Sequence, residues 1–279
     1  MGAICVVTDS ACDLTAAQAE DHQVRVVPLS IRFGDEELVD RVELSTKEFW
    51  DRVITGSVMP ATAAPAPGAF HQVFEEAADE GAEGVLCINL SSKLSATHQA
   101  ARAAADMAGR IPIEVVDSMQ VTMGLGLLVL AAAELAAAGR SLADITAEVL
   151  DLRARTRVMG VVASLDFLRR GGRIGNAAHL VGSLLSIKPV IEVRDGVVEV
   201  ESKQRTRSRS LQYLASKASA FGPLERIAVA NGAAEDFEEF LGYLHDAQAT
   251  HPLVVSDLGP VIGSHAGPGT VALCLQLAR

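Results

Sequence analysis

The chain of 279 residues has few aromatic side chains and few cysteines. Only 4% of its residues are aromatic while 49% are apolar, so its core must be built from aliphatic side chains. Four cysteines are scattered along the sequence, and none belongs to a C-x-x-C pair. This pattern argues against a disulfide framework, a structural zinc site and thioredoxin-type chemistry.

No Lys or Arg occurs ahead of Arg25. A secretory signal needs positive charge before its apolar stretch, so we expect a cytoplasmic protein. The uncharged run from Ser118 to Ala133, which is rich in apolar residues, is shorter than the ~20 residues needed to cross a bilayer. The sequence therefore predicts no stable insertion into a membrane.

Charge is unevenly distributed along a chain whose net charge is −11. The segment from Arg153 to Lys217 contains 13 Lys and Arg residues and 5 Asp and Glu residues. The remainder of the chain contains 11 Lys and Arg residues and 30 Asp and Glu residues. An acidic protein is a poor general binder of nucleic acid, so we expect no nucleic-acid partner. The confined basic stretch fits a carboxylate, a phosphate or an acidic partner surface, or else an ordinary solvated helix face.

Common enzymatic motifs are missing. The sequence has no G-x-x-x-x-G-K-[ST] phosphate loop, no G-x-S-x-G elbow and no H-E-x-x-H pair. Gly124-Leu125-Gly126 lacks the third glycine of a dinucleotide site, so close helix packing is the favoured interpretation. Asp9 and Asp13 flank Ser10 after the first apolar run, where a strand-end turn is favoured over a metal site.

The N-terminal half alternates β-branched runs with stretches of helical spacing. This alternation is typical of a parallel sheet covered by helices. Glu48, three residues after Ser45, indicates a capping box at the start of one helix. The predicted strands are 4–8, 24–31, 84–90 and 113–116, and the predicted helices are 46–54, 68–80, 95–108, 121–138 and 141–156.

The second half mixes strand and helix signals in a different order. Asp195-Gly196, between two alternating runs, predicts a hairpin and hence some antiparallel pairing. We therefore expect two α/β domains, an N-terminal parallel-sheet domain at 1–156 and a C-terminal mixed-sheet domain at 157–279. The predicted strands are 158–163, 190–193, 197–201, 226–230, 253–256 and 270–275, and the predicted helices are 208–220 and 235–247.

Candidate site residues lie where predicted strands run out into loops, the usual ligand position of an open α/β sheet. Thr62 carries the only hydroxyl of a stiff loop over 61–68. Hydroxyls and free N–H groups over 90–97 could surround an anion or simply cap a helix. His265 lies in a Gly- and Pro-rich loop over 259–269, and Arg173 follows a short helix that ends at Gly171-Gly172.

These segments, in this order, resemble the DegV family, which is similar to the fatty-acid-binding subunit of bacterial fatty acid kinase. The resemblance covers nearly the whole chain. Each motif alone is weak evidence for the family, but the occurrence of all of them in the same order is specific. The departures are Ala63 and Ala66, which stand where the family usually has serine, and Ala96, which stands where glycine is common. The matching segments are Thr8-Asp9-Ser10 with Asp13-Leu14, Pro28-Leu29, 62–68, 91–97, Asp117-Ser118 with Gly124, 171–174, Lys188-Pro189 and 265–269.

The resemblance implies a carrier without its own cofactor. A long-chain fatty acid would lie between the two domains, with its tail in an apolar tunnel. A separate ATP-dependent kinase, the catalytic subunit of fatty acid kinase, would convert the bound acid to an acyl phosphate. The implied docking residues are Lys203, Arg205 and Arg207, which with Arg209 would share one side of an extended segment. The implied carboxylate-binding residues are Thr62, Ser91, Ser92, Ser95, Arg173, His265 and Gly267.

A second hypothesis makes the protein an enzyme. The expected fold also resembles the substrate-binding half of dihydroxyacetone kinase, where a histidine holds a small carbonyl compound. His265 would be the corresponding residue. A long-chain acid that copurifies with the protein favours the carrier, whereas a covalent adduct with a triose favours the enzyme.

Overall fold

The computed structural model describes residues 4–180 and 187–279, and its N-terminal half alternates strands and helices. The strand over Gly84–Asn89 is buried at every position, which explains why its sequence is continuously apolar. The elements of this half are β1 (Ile4–Asp9), α1 (Ala16–Asp21), β2 (Arg25–Val27), β3 (Ser30–Phe33), β4 (Glu36–Val39), α2 (Thr46–Thr55), β5 (Pro60–Ala63), α3 (Pro67–Asp79), β6 (Gly84–Asn89), α4 (Thr97–Met107), β7 (Ile113–Asp117), α5 (Thr122–Ala137) and α6 (Leu142–Arg155).

Two sheets form in this half. A parallel sheet has the order β2-β1-β6-β7, and a separate antiparallel sheet has the order β4-β3-β5. The predicted single strand over 24–31 is wrong, because β2 joins the parallel sheet and β3 belongs to the antiparallel one. Pro28 lies at the break, and its missing N–H cannot extend a ladder of hydrogen bonds.

The second half forms one six-stranded sheet of order β10-β9-β8-β13-β11-β12, in which only β11 and β12 pair in parallel. The predicted hairpin is confirmed, because Arg194 pairs with Val197 and both loop residues, Asp195 and Gly196, have positive φ. The elements are β8 (Thr156–Val161), α7 (Asp166–Arg170), a 3₁₀ helix (Gly175–Leu180), β9 (Lys188–Arg194), β10 (Val197–Gln204), α8 (Arg207–Ala220), β11 (Leu224–Gly232), α9 (Phe237–Tyr243), β12 (Val254–Asp257), α10 (Pro260–Ala266) and β13 (Thr270–Leu277).

Helix α5 lies between the two large sheets and is buried from Thr122 to Ala133. A Cβ on Gly124 would lie 2.1 Å from a methyl group of Val158, and one on Gly126 would lie 2.6 Å from the carbonyl oxygen of Cys12. These glycines therefore allow close helix packing. The fold class of two α/β units, one with a parallel and one with a mixed sheet, is confirmed. The domain boundary at 156/157 stays a prediction.

Two segments predicted as loops are regular structure. Thr62 lies in β5 and pairs with Ile31 of β3. The segment 259–269 contains helix α10, which has Pro260 in its first turn and ends at Gly267 with a φ of +78°. Proline fits the first turn because the N–H it lacks would have no partner there, and glycine adopts positive φ without strain. The Gly and Pro residues therefore mark the ends of a helix.

The described residues contain neither a membrane-spanning helix nor a cluster of metal-ligating side chains. None of their helices is both long enough and apolar enough to cross a membrane. Within the same residues, no group of three or more His, Cys, Asp or Glu side chains could hold a metal ion. Asp9 accepts a hydrogen bond from the N–H of Ala11 at 3.1 Å within a strand-end turn, and another from the N–H of Leu90, after the neighbouring strand β6, at 2.9 Å.

Candidate functional site

A cavity lies between the two halves of the molecule. The antiparallel sheet, the loops after β6 and β7 and the start of α5 line one side, and β8, β9, β10, β13 and α10 line the other. Most of the lining is aliphatic. These residues are Leu29, Leu90, Leu94, Val121, Val158, Met159, Leu168, Ile191, Val193, Val198, Leu258, Val261, Ile262, Ala266 and Ala272.

Helix α10 forms one wall of the cavity along its length. Leu258, Val261, Ile262, His265 and Ala266 line the cavity, and their spacing of three to four residues is that of one helix face. The cavity-lining side chains therefore run from apolar Leu258, just before the helix, to polar His265 in its last turn. From sequence, Pro260 and Gly267 were the available signals for this wall, as the two ends of a helix.

The polar end of the cavity joins side chains that are far apart in sequence. Oγ1 of Thr62 lies 2.9 Å from Nε2 of His265, across the two halves. Arg173 donates from Nε to the carbonyl of Leu94 at 3.0 Å and from Nη1 to the carbonyl of Gly171 at 2.6 Å. These bonds hold the guanidinium between the two halves, beside the cavity that Thr62, Arg173 and His265 all line.

His265 is buried in a way that disfavours its charged form. Burial, with a smaller contribution from the Arg173 charge, lowers the pKa of the imidazole to about 4. His265 is therefore neutral at neutral pH, so its ring has one donor and one acceptor nitrogen. Nδ1 has no hydrogen-bond partner among the described residues, and a Cβ on Gly171 would lie only 2.3 Å from it.

The three candidate serines occupy different environments. Ser95 lines the cavity, and its Oγ lies 2.8 Å from Oγ1 of Thr97 and accepts from the Thr97 N–H at 3.3 Å. Ser91 is fully buried and donates to the carbonyl of Gly196 at 2.7 Å, so its hydroxyl joins the two halves. Ser92 is exposed, and its N–H donates to Asp117. The structure thus brings Ser95, but not Ser91 or Ser92, to the cavity lining.

Gly267 is likewise absent from the cavity lining that the described residues form. A Cβ at this position would lie 2.5 Å from the ring of Phe167, on α7. Glycine here lets the end of α10 pack closely against that ring. Gly267 therefore acts on the polar end only through the position of α10, whose last turn carries His265.

The basic residues after the hairpin do not form one extended row. Strand β10 ends at Gln204, and Arg207 and Arg209 lie in the first turn of α8, which contradicts the predicted alternation. Arg207 donates to both carboxylate oxygens of Asp236, at 2.8 and 2.9 Å. Lys203, Arg205 and Arg209 are exposed.

The chain is similar in sequence to known proteins over nearly its whole length. The DegV family model, described as "Uncharacterised protein, DegV family", matches residues 3–277. A DegV domain-containing protein of Streptomyces coelicolor is 36% identical over 278 residues, which is 98% of each chain. A relative of the same description from Deinococcus radiodurans is 36% identical over 279 residues, again 98% of each chain.

Solved structures of DegV proteins share the whole fold. A fatty-acid-binding DegV family protein of Thermus thermophilus has a TM-score of 0.90 and 34% identity, over 99% of this chain and 100% of that one. DegV of Bacillus subtilis, described as a fatty acid binding protein, has a TM-score of 0.87 and 31% identity over 100% of both chains. A stearic acid-binding protein of Eubacterium ventriosum has a TM-score of 0.88 and 26% identity over 98% of both. The present chain therefore belongs to the DegV family.

Proposed function

We propose that this protein binds a long-chain fatty acid in the cavity between its two halves and presents the carboxylate to a separate kinase. The observation that carries the proposal is the contact between Thr62 and His265 at the end of a mostly aliphatic cavity. The fatty acids bound by its relatives from Thermus thermophilus, Bacillus subtilis and Eubacterium ventriosum support the same ligand class.

The carboxylate belongs at the polar end because a buried charge needs donors. An ionised carboxylate without partners would lose several kcal/mol in desolvation. The hydroxyls of Thr62 and Ser95 can donate, and neutral His265 can donate from one ring nitrogen. Arg173 adds the positive charge, and hydrogen bonds between charged groups are about twice as strong as neutral ones.

The hydrocarbon tail belongs along the aliphatic wall formed by α10, β8 and β9. Burying a methylene group contributes about 0.8 kcal/mol, so ten of them contribute roughly 8 kcal/mol before the cost of ordering the chain. Glu192 also borders the cavity, but its carboxylate pairs with Arg194. Strand alternation places Glu192 on the face of Val190, opposite Ile191 and Val193. Its charge therefore does not face the tail.

Presentation to a kinase requires an exposed surface beside the bound acid. In this step a carboxylate oxygen attacks the γ-phosphoryl group of ATP, so the acyl phosphate forms and ADP leaves. We assign docking to Lys203, near the end of β10, and to Arg205, just after it, which are exposed cations, whereas Arg207 is already paired with Asp236. Exposed cations of this kind speed association with an acidic partner surface.

Mass spectrometry of protein purified without detergent tests the ligand. We expect a long-chain fatty acid in the organic extract of the wild-type protein. Ala272→Phe is the matched control, because it adds a ring to a small residue of the cavity wall and should exclude the acid from a folded chain. An empty wild-type protein, or equal lipid content in the variant, would contradict the proposal.

The docking surface has its own test. Arg205→Ala should leave lipid content unchanged and slow acyl phosphate formation when a cognate ATP-dependent kinase is added. Arg102→Ala removes an exposed arginine from α4 and should change neither property. Equal rates for both variants would remove Arg205 from the docking surface.

A carbonyl enzyme that uses His265 is less well supported. Trioses carry a polar group on every carbon, and burying each group without a partner costs about 1–3 kcal/mol. Most of the cavity wall is aliphatic, and besides the polar end the described residues add the side chains of Thr122, Glu192 and Thr270. A covalent adduct on His265 in the mass spectrum of the intact protein, after incubation with a triose, would reverse this preference.

A further inference from the structure

Helix α10 belongs to the second half by sequence, between β12 and β13, yet both of its ends contact the first half. At its C-terminal end His265 meets Thr62. At its N-terminal end the N–H of Gly259 donates to Oδ1 of Asp13 at 3.0 Å. The helix is therefore held against the N-terminal half at two points, one of which is the polar end of the cavity.

The contact at Asp13 is close and has several components. A Cβ on Gly259 would lie 2.6 Å from Oδ1 of Asp13, so only glycine allows this approach. Oγ of Ser256 donates to the carbonyl of Asp13 at 2.5 Å. Trp50 adds a third bond from the first half, since its Nε1 donates to the carbonyl of Leu258 at 3.0 Å. All three fix the residues just before α10.

Asp13 is in turn held by Arg41. The guanidinium lies 3.7 Å from Oδ1 of Asp13, and it donates to the carbonyl of Ser10 at 3.1 Å and to that of Leu14. Arg41 therefore binds the turn through backbone carbonyl groups on both sides of Asp13, those of Ser10 and Leu14. The turn is unusual, because Asp13 has a φ of +53°, a conformation that Asp tolerates better than most side chains.

We propose that Asp13, held by Arg41, is a positioning residue that fixes the start of α10 and thereby sets where His265 stands against Thr62. His265 lies six residues after Gly259, about 9 Å along a rigid helix, so a displaced start moves the imidazole as well. The consequence for carboxylate binding rests on the proposed function, whereas the position of His265 does not.

The experiment measures His265 itself, by NMR titration of its imidazole in ligand-free protein. Asp13→Ala removes the acceptor for Gly259, so α10 should loosen and His265 should gain access to water. Its pKa should then rise from about 4 by roughly one unit or more, toward the ordinary value of 6.5. Asp13→Asn keeps an Oδ1 acceptor and should shift the pKa less.

A matched control separates positioning from general instability. Phe240→Leu shortens a fully buried side chain in the core under α8 and α9, away from α10. It should destabilise the protein yet leave the titration of His265 unchanged. Palmitate binding, measured in parallel, should weaken ~10-fold in Asp13→Ala and change little in Phe240→Leu.

Gly259→Ala is the second variant if Asp13→Ala does not fold. Its methyl group would press on Oδ1 of Asp13 and should raise the pKa of His265 in the same direction. A wild-type titration in every folded variant would overturn the inference, as would an equal shift in Phe240→Leu. Failure of the wild-type protein to bind palmitate would instead overturn the proposed function, and the titration would still test Asp13.

Discussion

The polar end of the cavity and its aliphatic wall are assembled in different ways. Thr62, Ser95, Arg173 and His265 come from four separate segments, and each contributes one side chain. The wall takes several side chains from each of a few regular elements, such as α10 and β9. The polar end therefore depends on the relative position of distant segments, whereas the wall depends on the periodicity of single elements.

This difference predicts different responses to mutation. Hydrogen bonds are directional, and a partner left unsatisfied in a buried place costs about 1–3 kcal/mol. Aliphatic contacts are non-directional, and a wall of many members loses only a fraction of its area with one truncation. Substitutions at the polar end should therefore change affinity more than stability, and substitutions in the wall should do the reverse.

The largest effect is expected for Arg173→Ala. The variant removes the cation of the polar end, and charge-assisted hydrogen bonds contribute about 1.5–3 kcal/mol, so the dissociation constant for palmitate should rise ~10- to 100-fold. Arg173→Lys should be intermediate, because lysine keeps the charge but cannot reproduce the paired bonds to Leu94 and Gly171. Calorimetric titration measures both constants.

The control is Arg170→Ala, which removes an exposed arginine from the end of α7. It should bind palmitate as the wild type does, with an unfolding midpoint close to that of Arg173→Ala. Equal affinity for Arg173→Ala and the wild type would mean that the carboxylate lies elsewhere.

Thr62→Ala should have a smaller effect, because one neutral hydrogen bond is lost. We expect ~10-fold weaker palmitate binding and an unfolding free energy within about 1 kcal/mol of the wild type. Thr62→Ser keeps the hydroxyl and should restore most of the affinity, which calorimetry can measure. If serine binds as weakly as alanine, the hydroxyl contact with His265 does not carry the effect.

The same contrast explains how far the site could be predicted from sequence. Thr62, Ser95, Arg173 and His265 were identified as strand-end or glycine-flanked polar residues, a signal present in the sequence itself. Nothing in the sequence itself indicated that these residues converge, because Thr62 and His265 are separated by 203 residues. Only the resemblance to a known family connected them before the structure did.

Packing also decided which serine reaches the cavity. Ser91, Ser92 and Ser95 have the same chemistry within one short loop, and nothing local ranks them. The hairpin loop at Gly196 approaches Ser91 so closely that a Cβ there would lie 2.5 Å from its Oγ, and the Ser91 hydroxyl donates to the Gly196 carbonyl instead of lining the cavity.

Helix α10 was missed for a related reason. Gly263 in its middle weakens the helical pattern, since glycine is destabilising there by about 1 kcal/mol. The structure needs it because a Cβ would lie 2.7 Å from the ring of Phe49 and 2.9 Å from that of Trp50. By contrast, β1, β6 and β7 of the parallel sheet agree with the strands predicted from their apolar, partly β-branched composition, whereas β2 does not.

The smallest effect on affinity is expected in the wall, at Val198→Ala. Val198 is buried on β10 and lines the cavity. Removing two methyl groups should lower the unfolding free energy by about 1–2 kcal/mol, because a small void remains in the packing. Palmitate affinity should change by less than ~3-fold, since the tail keeps its other contacts. Denaturant titration and calorimetry on the same variant give both quantities. A loss of affinity larger than that of Thr62→Ala would mean that the wall recognises the tail by shape, and the contrast between the two regions would fail.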